Sequence, residues 1–388
     1  MLARGLQAAL AACVVSLALT GIASAASWTQ FRGGPAHVGV NPLEATLDVE
    51  AARGLLPACA GSSAPGTASY SSPAIWSGRA IIGSSDGRIV AFDASTCALS
   101  WSAPTGSPVY SSPAIKDGRA IVGTLDNGVH AVDARTGAPL WTDPLPGTFF
   151  GSATVAGNTA YIGTLEGYVY ALDTATGGVR WSREFARTGA VSNAPTVVGG
   201  RVFVGYSSGQ LRAFRASDGK SLYTLGKLGP VLGAPAARDG ILYFGGGAML
   251  YAVEATTGHR EWAVVAGPQP VASSAAVSNG LVWVRTRDRT LRAFDAATGA
   301  LRIAQPMAGD DPETGNGIAY ASPVIAAGVV YVTSSDARLY AFDESDGSPL
   351  ASVSTFGAVW GSPAVVNGRV WVAAVDTRCL VCSFAGGS

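Results

Sequence analysis

The sequence predicts an all-β, eight-bladed β-propeller of four-stranded antiparallel blades whose last blade is closed by an N-terminal strand. Three observations predict it: an internal repeat of about 40 residues, four short apolar runs in each repeat, and a final repeat that is one run short. The repeat is plainest in the pentapeptide Ser-Ser-Pro-Ala-Ile at 71–75, which recurs at 111–115. Weaker copies carry the Pro73 and Pro113 column on through Ala153, Pro195, Pro235, Ala275, Pro323 and Pro363, at spacings of 40, 40, 42, 40, 40, 48 and 40. A second column, Ala-x-Asp, stands at Ala91/Asp93, Ala131/Asp133, Ala171/Asp173, Ala293/Asp295 and Ala341/Asp343, with Arg215 and Glu254 in the Asp place of two other units.

Within the third unit, apolar runs at 151–155, 160–163, 168–172 and 179–181 are separated by Ala156-Gly157-Asn158, Glu166-Gly167 and Thr176-Gly177. Turn residues between runs of strand length, with no run long enough for a helix, describe a four-stranded meander. Such a unit cannot bury both faces alone, so eight of them must pack radially. In the eighth unit the runs 369–374 and 379–384 follow Ser362-Pro363 and leave the outermost strand missing. Residues 55–59 precede the first unit by the distance that 99–103 precede the second, so they can fill that place. This sets Cys59 in the strand beside Cys379 and Cys382, where a disulfide would lock the closure.

Composition agrees with one domain over 26–388. Charged residues are 13% of the 388 and hydrophobic ones 48%, with 50 glycines, which suits short strands and tight turns. Lys plus Arg and Asp plus Glu are both 26, so no net field draws nucleic acid or an acidic membrane. Residues 1–25 read as a signal peptide: Arg4, an apolar run at 8–22, then Ala23-Ser24-Ala25 before the cut. The run is short for a bilayer span. The spelling Leu10-Ala11-Ala12-Cys13 offers lipid anchoring at Cys13 as an alternative. The mature chain is therefore expected to be exported, periplasmic or extracellular, and monomeric. Cys59, Cys97, Cys379 and Cys382 are an even set in an exported chain and suit one or two disulfides of open pairing. Cys379-Leu-Val-Cys382 falls inside an expected strand rather than at a helix N-terminus, which favours a structural bridge over a redox pair.

The segment 91–101 spells A-x-D-x-x-T-[G]-x-x-x-W, as do 131–141 and 171–181 and, more loosely, 252–262. This resembles the tryptophan-docking repeat of the pyrroloquinoline-quinone (PQQ)-type propellers, which include quinoprotein alcohol dehydrogenases and the outer-membrane assembly lipoproteins. The opening Trp28-Thr-Gln-Phe-Arg-Gly-Gly resembles the start of such proteins. The resemblance implies that Trp101, Trp141, Trp181 and Trp262 pack on the Thr-Gly turn of the neighbouring blade. It also implies that Asp93, Asp133 and Asp173 cap those turns. Cys97 replaces the glycine in blade one, and Tyr223, Ile303 and Ala351 replace tryptophan in blades four, six and seven, where docking is expected to be weaker.

The resembled family holds enzymes and non-enzymes, so fold analogy decides nothing about activity. PQQ needs Arg or Lys for its carboxylates, and its Ca²⁺ needs Asp, Glu or Asn. The innermost runs, 69–75, 109–115, 149–155, 191–197, 231–237, 271–277, 319–325 and 359–365, carry no charged residue, and no adjacent Cys-Cys occurs. The expectation is a non-catalytic chain without cofactor or metal; a PQQ- and calcium-dependent dehydrogenase with ligands on loops is the alternative. His37, His130 and His259 are scattered, which disfavours a metal trio or a Ser-His-Asp set. Gly245-Gly-Gly has no following helix to make a phosphate site. Arg285, Arg287 and Arg289 read as a solvated hairpin, and the acidic insertion at 307–317 as a solvated loop.

Three residues before the Pro column stand Tyr70, Tyr110, Phe150, Ser192, Leu232, Ala272, Tyr320 and Trp360. Tyr320, Trp360, Tyr70, Tyr110 and Phe150 thus form a one-sided arc at the channel mouth. Two readings stand side by side: the rings plug the axial hole, or they offer a binding surface for a protein segment or small ligand.

Overall fold

In the computed structural model, which describes residues 27–62, 67–126, 128–185, 189–271, 273–307, 321–376 and 379–387, each repeat becomes one antiparallel sheet. Blade one runs outward from the axis through Ala74–Trp76, Arg79–Ser84, Arg88–Asp93 and Leu99–Pro104. Innermost strands of the other blades are Ala114–Lys116, Thr154–Ala156, Thr196–Val198, Ala236–Arg238, Ala276–Ser278, Val324–Ala326 and Ala364–Val366. The expected leader and Cys13 lie outside the described residues, as do Tyr320, Ala272 and the acidic insertion beyond Met307.

The Ala-x-Asp column has a structural reason. In blade one the outer hairpin pairs Ala91 with Trp101 and Phe92 with Leu99, so the register shifts at Ala91. The same shift recurs at Ala171, Ala213, Ala252, Ala293 and Ala341. A bulge of this kind re-aims one side chain out of the sheet alternation. Two residues on, the aspartate holds the turn: Asp93 Oδ1 accepts from Ser95 N at 2.9 Å and Thr96 N at 3.0 Å, and Asp133 and Asp173 repeat the pattern. These bonds, led for Asp93 by that from the Ser95 hydroxyl, hold its carboxyl down at about 2. For Asp173 and Asp295 the leading cause is the guanidinium of Arg180 or Arg302, with the same result of about 2. A carboxyl depressed below its unfolded value near 4 favours the native state above that pH, and the advantage disappears as pH falls toward 2. We expect melting temperature to drop between pH 4 and pH 2. The triple variant Asp93→Asn, Asp173→Asn, Asp295→Asn, which keeps the acceptor but cannot titrate, should drop less; parallel slopes in thermal melts would refute this.

Blades pack face to face, each pair burying one apolar cluster. Between blades two and three, for example, Ile121 and Val129 meet Val155, Ile162 and Leu172. The largest cluster among the described residues spans blades seven, eight and one and takes in Trp28, Leu47, Ala52 and Leu55. Closure explains its size. Leu56–Gly61 pairs antiparallel with Val381–Ala385 and completes the eighth blade, pairing Cys59 with Ser383 where a tryptophan would face an alanine.

Cys59 bonds to Cys97 of blade one, not to its strand neighbours, and Cys379 bonds to Cys382. The pairing expected from strand adjacency is thus corrected: the bulge at Pro57/Cys59 turns Cys59 out of the sheet toward the next blade. Nor does the Cys-x-x-Cys lie within a strand, since the strand starts at Val381. The basic hairpin is corrected too. Arg285 is buried, donating through Nη1 to Thr333 O at 3.2 Å in blade seven, while Arg292 pairs with Asp288 at 2.6 Å. Arg285 stands where other blades have Gly83, Gly123, Gly205 or Gly245, a site pressed against the next blade.

The part of the fold without any precedent in the repeat is the segment 28–41. It travels once around the inside of the ring, meeting the same position of each innermost strand in turn. Trp28 exchanges backbone bonds with Ile75 at 2.9 and 2.8 Å; Thr29 O accepts from Ile115 N at 2.7 Å. The Gln30 side chain takes both groups of Val155, at 2.8 and 3.3 Å. Pro35 O, Ala36 O, Val38 O and Gly39 O then accept from Val197 N, Ala237 N, Val277 N and Ile325 N at 2.7 to 3.0 Å. Asn41 Nδ2 reaches Val365 O of blade eight at 2.7 Å. The strap satisfies strand edges that would otherwise face the channel unpaired. Arg32, at φ 57°, anchors its centre, donating to His37 O, Pro323 O and Ala275 O. Gly39 is required there, because a Cβ would overlap that guanidinium.

Candidate binding cup

The strap gives the axial channel a floor, so the hole becomes a cup. Its space is about 610 Å³ with the open mouth included. Phe31 of the strap lines the cup, its ring edge-on to His37 at 5.5 Å. His37 is buried, its ring nitrogens 3.0 Å from Thr154 Oγ1 and 3.3 Å from Thr196 Oγ1. Burial, then the charge of Arg32, pushes it down to about 3, so it is neutral and structural. At the rim, Tyr70, Tyr110, Phe150 and Trp360 are half-buried and line the cup. Tyr70 and Tyr110 stand 4.6 Å apart between ring centres, and Phe150 meets Tyr110 edge-on at 5.8 Å. Burial, helped by Tyr70, pushes the Tyr110 phenol up. Ser192 and Leu232 occupy the opposite rim.

Between rim and floor lies a belt of serines that the repeat displays but whose partners no local pattern reveals. The residue before each Pro-column position is serine in six blades, and the backbone N–H of five of these serines and of Ala234 donates to the hydroxyl at the same position of the next blade. The bonds run Ala234 to Ser274, Ser274 to Ser322, Ser322 to Ser362, Ser362 to Ser72, Ser72 to Ser112 and Ser112 to Ser152, at 2.8 to 3.0 Å. The step from blade eight to blade one is made like any other. Ala194 and Ala234 offer no hydroxyl, so the belt is open between blades three and five.

At the outer rim, Trp141 Nε1 donates to Thr174 O, Trp181 Nε1 to Ala216 O and Trp262 Nε1 to Ala296 O, at 2.9 to 3.1 Å, each in the next blade. Trp101 lies against Gly137 at φ 76°, so close that a Cβ there would collide with the indole. Tyr223 takes the same position over Gly258 and donates its hydroxyl to Ala255 O at 2.9 Å. Among the described residues no group of three or more His, Cys, Asp or Glu stands together to hold a metal, and no helix is long and apolar enough to cross a membrane.

The sequence matches the profile of the PQQ-repeat family described as outer membrane protein assembly factor BamB over residues 50–148, 126–234, 226–304 and 302–387. The chain belongs to this family. Comparison with curated protein sequences gives no match. Among solved structures, BamB from Moraxella catarrhalis is 19% identical with a TM-score of 0.71, covering 86% of this chain and 100% of that one. A europium-containing methanol dehydrogenase is 15% identical with a TM-score of 0.74, covering 90% of this chain and 89% of that one. The quinohemoprotein alcohol dehydrogenase from Comamonas testosteroni is 16% identical at 0.74, covering 94% and 82%. Such identities show a shared fold.

Proposed function

We propose that this BamB-family propeller is a non-catalytic binding scaffold of the cell envelope or exterior, which holds a protein segment or ligand at the aromatic mouth of its cup. One observation carries the reading: among the described residues the cup is lined by aromatic rings, serines, Asn193, Leu232, glycines and alanines, with no charged side chain. Aromatic side chains supply large contact area at small entropic cost. The lining does not fit PQQ, whose carboxylates call for Arg or Lys and whose calcium calls for carboxylate ligands. Two disulfides agree with an oxidising compartment outside the cytoplasm. Purified protein supplied with PQQ and Ca²⁺ should give no dye-linked alcohol or sugar oxidation; clear turnover would overturn the proposal. In pull-downs from envelope extract, the double variant Tyr110→Ala, Trp360→Ala should lose its partner at least about tenfold, the loss expected when two aromatic anchors go. Unchanged capture counts against the mouth.

A further inference from the structure

The opening in the serine belt collects polar groups that the rest of the belt satisfies. Ser152 N–H and Ala194 N–H, in neighbouring blades, have no partner among the described residues, because the next positions are Ala194 and Ala234. Ser152 is 9% exposed and Ala194 2%. Beside them Asn193 is 6% exposed; its Nδ2 donates to Gly205 O at 3.2 Å and Val231 O at 3.1 Å, and its Oδ1 has no partner. At the corresponding position in three other blades, Ser71, Ser111 and Ser273 are satisfied by backbone of their own blade. All three residues of the opening line the cup, beside Phe150 at one end of the aromatic arc. Orphaned buried polar groups are rare in native proteins, and a cluster of them inside a pocket marks where a ligand completes the bonding.

We propose that the opening is a subsite for an uncharged amide. The backbone N–H groups of Ser152 and Ala194 receive its carbonyl oxygen, Asn193 Oδ1 receives its N–H, and an apolar group attached to it rests on Tyr70, Tyr110, Phe150 and Trp360. Donors and an acceptor side by side match the two ends of one planar amide. A carboxylate or ammonium would enter a lining that offers no opposite charge and would lose its hydration unrepaid. The amide can come from a free small molecule or from a peptide unit in an inserted polypeptide segment. The inference rests on the cup being the binding site.

The test uses 3-phenylpropanamide, the corresponding methyl ester, which cannot donate, and the blocked tripeptide acetyl-Gly-Phe-Gly-amide, each titrated into the folded protein by NMR. The amide should bind about tenfold or more tightly than the ester, since the ester leaves Asn193 Oδ1 unpaired. Ala194→Ser restores the missing hydroxyl acceptor for Ser152 N–H, and Asn193→Ser restores the residue of the other blades. Each should lower amide affinity about tenfold and leave melting temperature equal or higher; Asn193→Ser should leave the ester unchanged, whereas Ala194→Ser, which engages a donor to the carbonyl that both ligands share, should weaken the ester as well. A tripeptide that binds more tightly than the small amide assigns the site to polypeptide; equal affinity assigns it to free small amides. Equal binding of amide and ester overturns the subsite while the aromatic mouth stands. Binding of neither overturns the subsite, and the pull-down then decides the mouth separately.

Discussion

The double variant Cys59→Ala, Cys97→Ala should unfold with about 4 kcal/mol less free energy than the parent, from the entropy of the loop its bond closes. The two cysteines are 38 residues apart. The larger point is what the bond replaces. Cys59 occupies the register position of Trp101, and Cys97, at φ 58°, occupies the turn position of Gly137. At five other junctions a ring lies on a glycine: Trp101 on Gly137, Trp141 on Gly177, Trp181 on Gly219, Tyr223 on Gly258 and Trp262 on Gly299, while Ile303 meets Gly347. Between blades eight and one a covalent bond stands in the same place. Cys379→Ala with Cys382→Ala, which opens a loop of separation 3, should cost about half as much. The swap Cys59→Trp with Cys97→Gly should recover part of the loss, because glycine also relieves the left-handed backbone. Denaturant midpoints measure all three; an unchanged midpoint for the Cys59/Cys97 alanine pair would show that the ladder alone holds the ring.

Arg32→Met should cost about 3 kcal/mol. The guanidinium is 1% exposed with no ion-pair partner among the described residues, and burial pulls it from its ordinary value above 12 to about 9. It remains a cation at neutral pH. That depression represents a penalty of about 5 kcal/mol. Against it stand three bonds to a charged donor at about 1.5–3 kcal/mol each. The bonds win by a small margin. Methionine removes penalty and bonds together but leaves the carbonyls of His37, Ala275 and Pro323 unpaired, at about 1–3 kcal/mol apiece less whatever relaxation recovers. Arg32→Lys should not rescue, since one ammonium cannot span the fork. Hydrogen exchange at Val277 and Ile325, whose N–H groups bond the strap, is the local readout. If both stay protected and the midpoint does not move, the strap holds without its anchor.

The blades and their closure were legible because each rests on a local, repeated cause: a turn glycine, a bulge alanine, a run of strand length. The aromatic arc was legible as spacing, and four of its five rings are described around the cup. The strap was not legible. Its bonds come mostly from backbone carbonyls, which every residue has, and no pattern in 28–41 says which strands they will meet. The serine belt lay in the Ser-Ser-Pro pentapeptide itself, yet a hydroxyl that serves the next blade looks the same in sequence as one in a turn. Asn193 was visible only as a departure from serine. Cys97 shows in the sequence as a missing glycine, whereas its partner, the residue standing in the tryptophan's place, follows only from the register of a strand from the other end of the chain.

The strap also bears on how the ring comes apart. Repeats stacked in an open row melt piecemeal from their ends, since each leans only on its neighbours. Here one stretch of chain touches all eight units, and its last bond, from Asn41 to Val365, spans 324 residues. No blade can leave without breaking a bond to the strap, so fraying is tied to global loss. Contacts so distant in sequence slow assembly, and the ring must form around the segment it encloses. Once assembled, it has no free end from which to unravel.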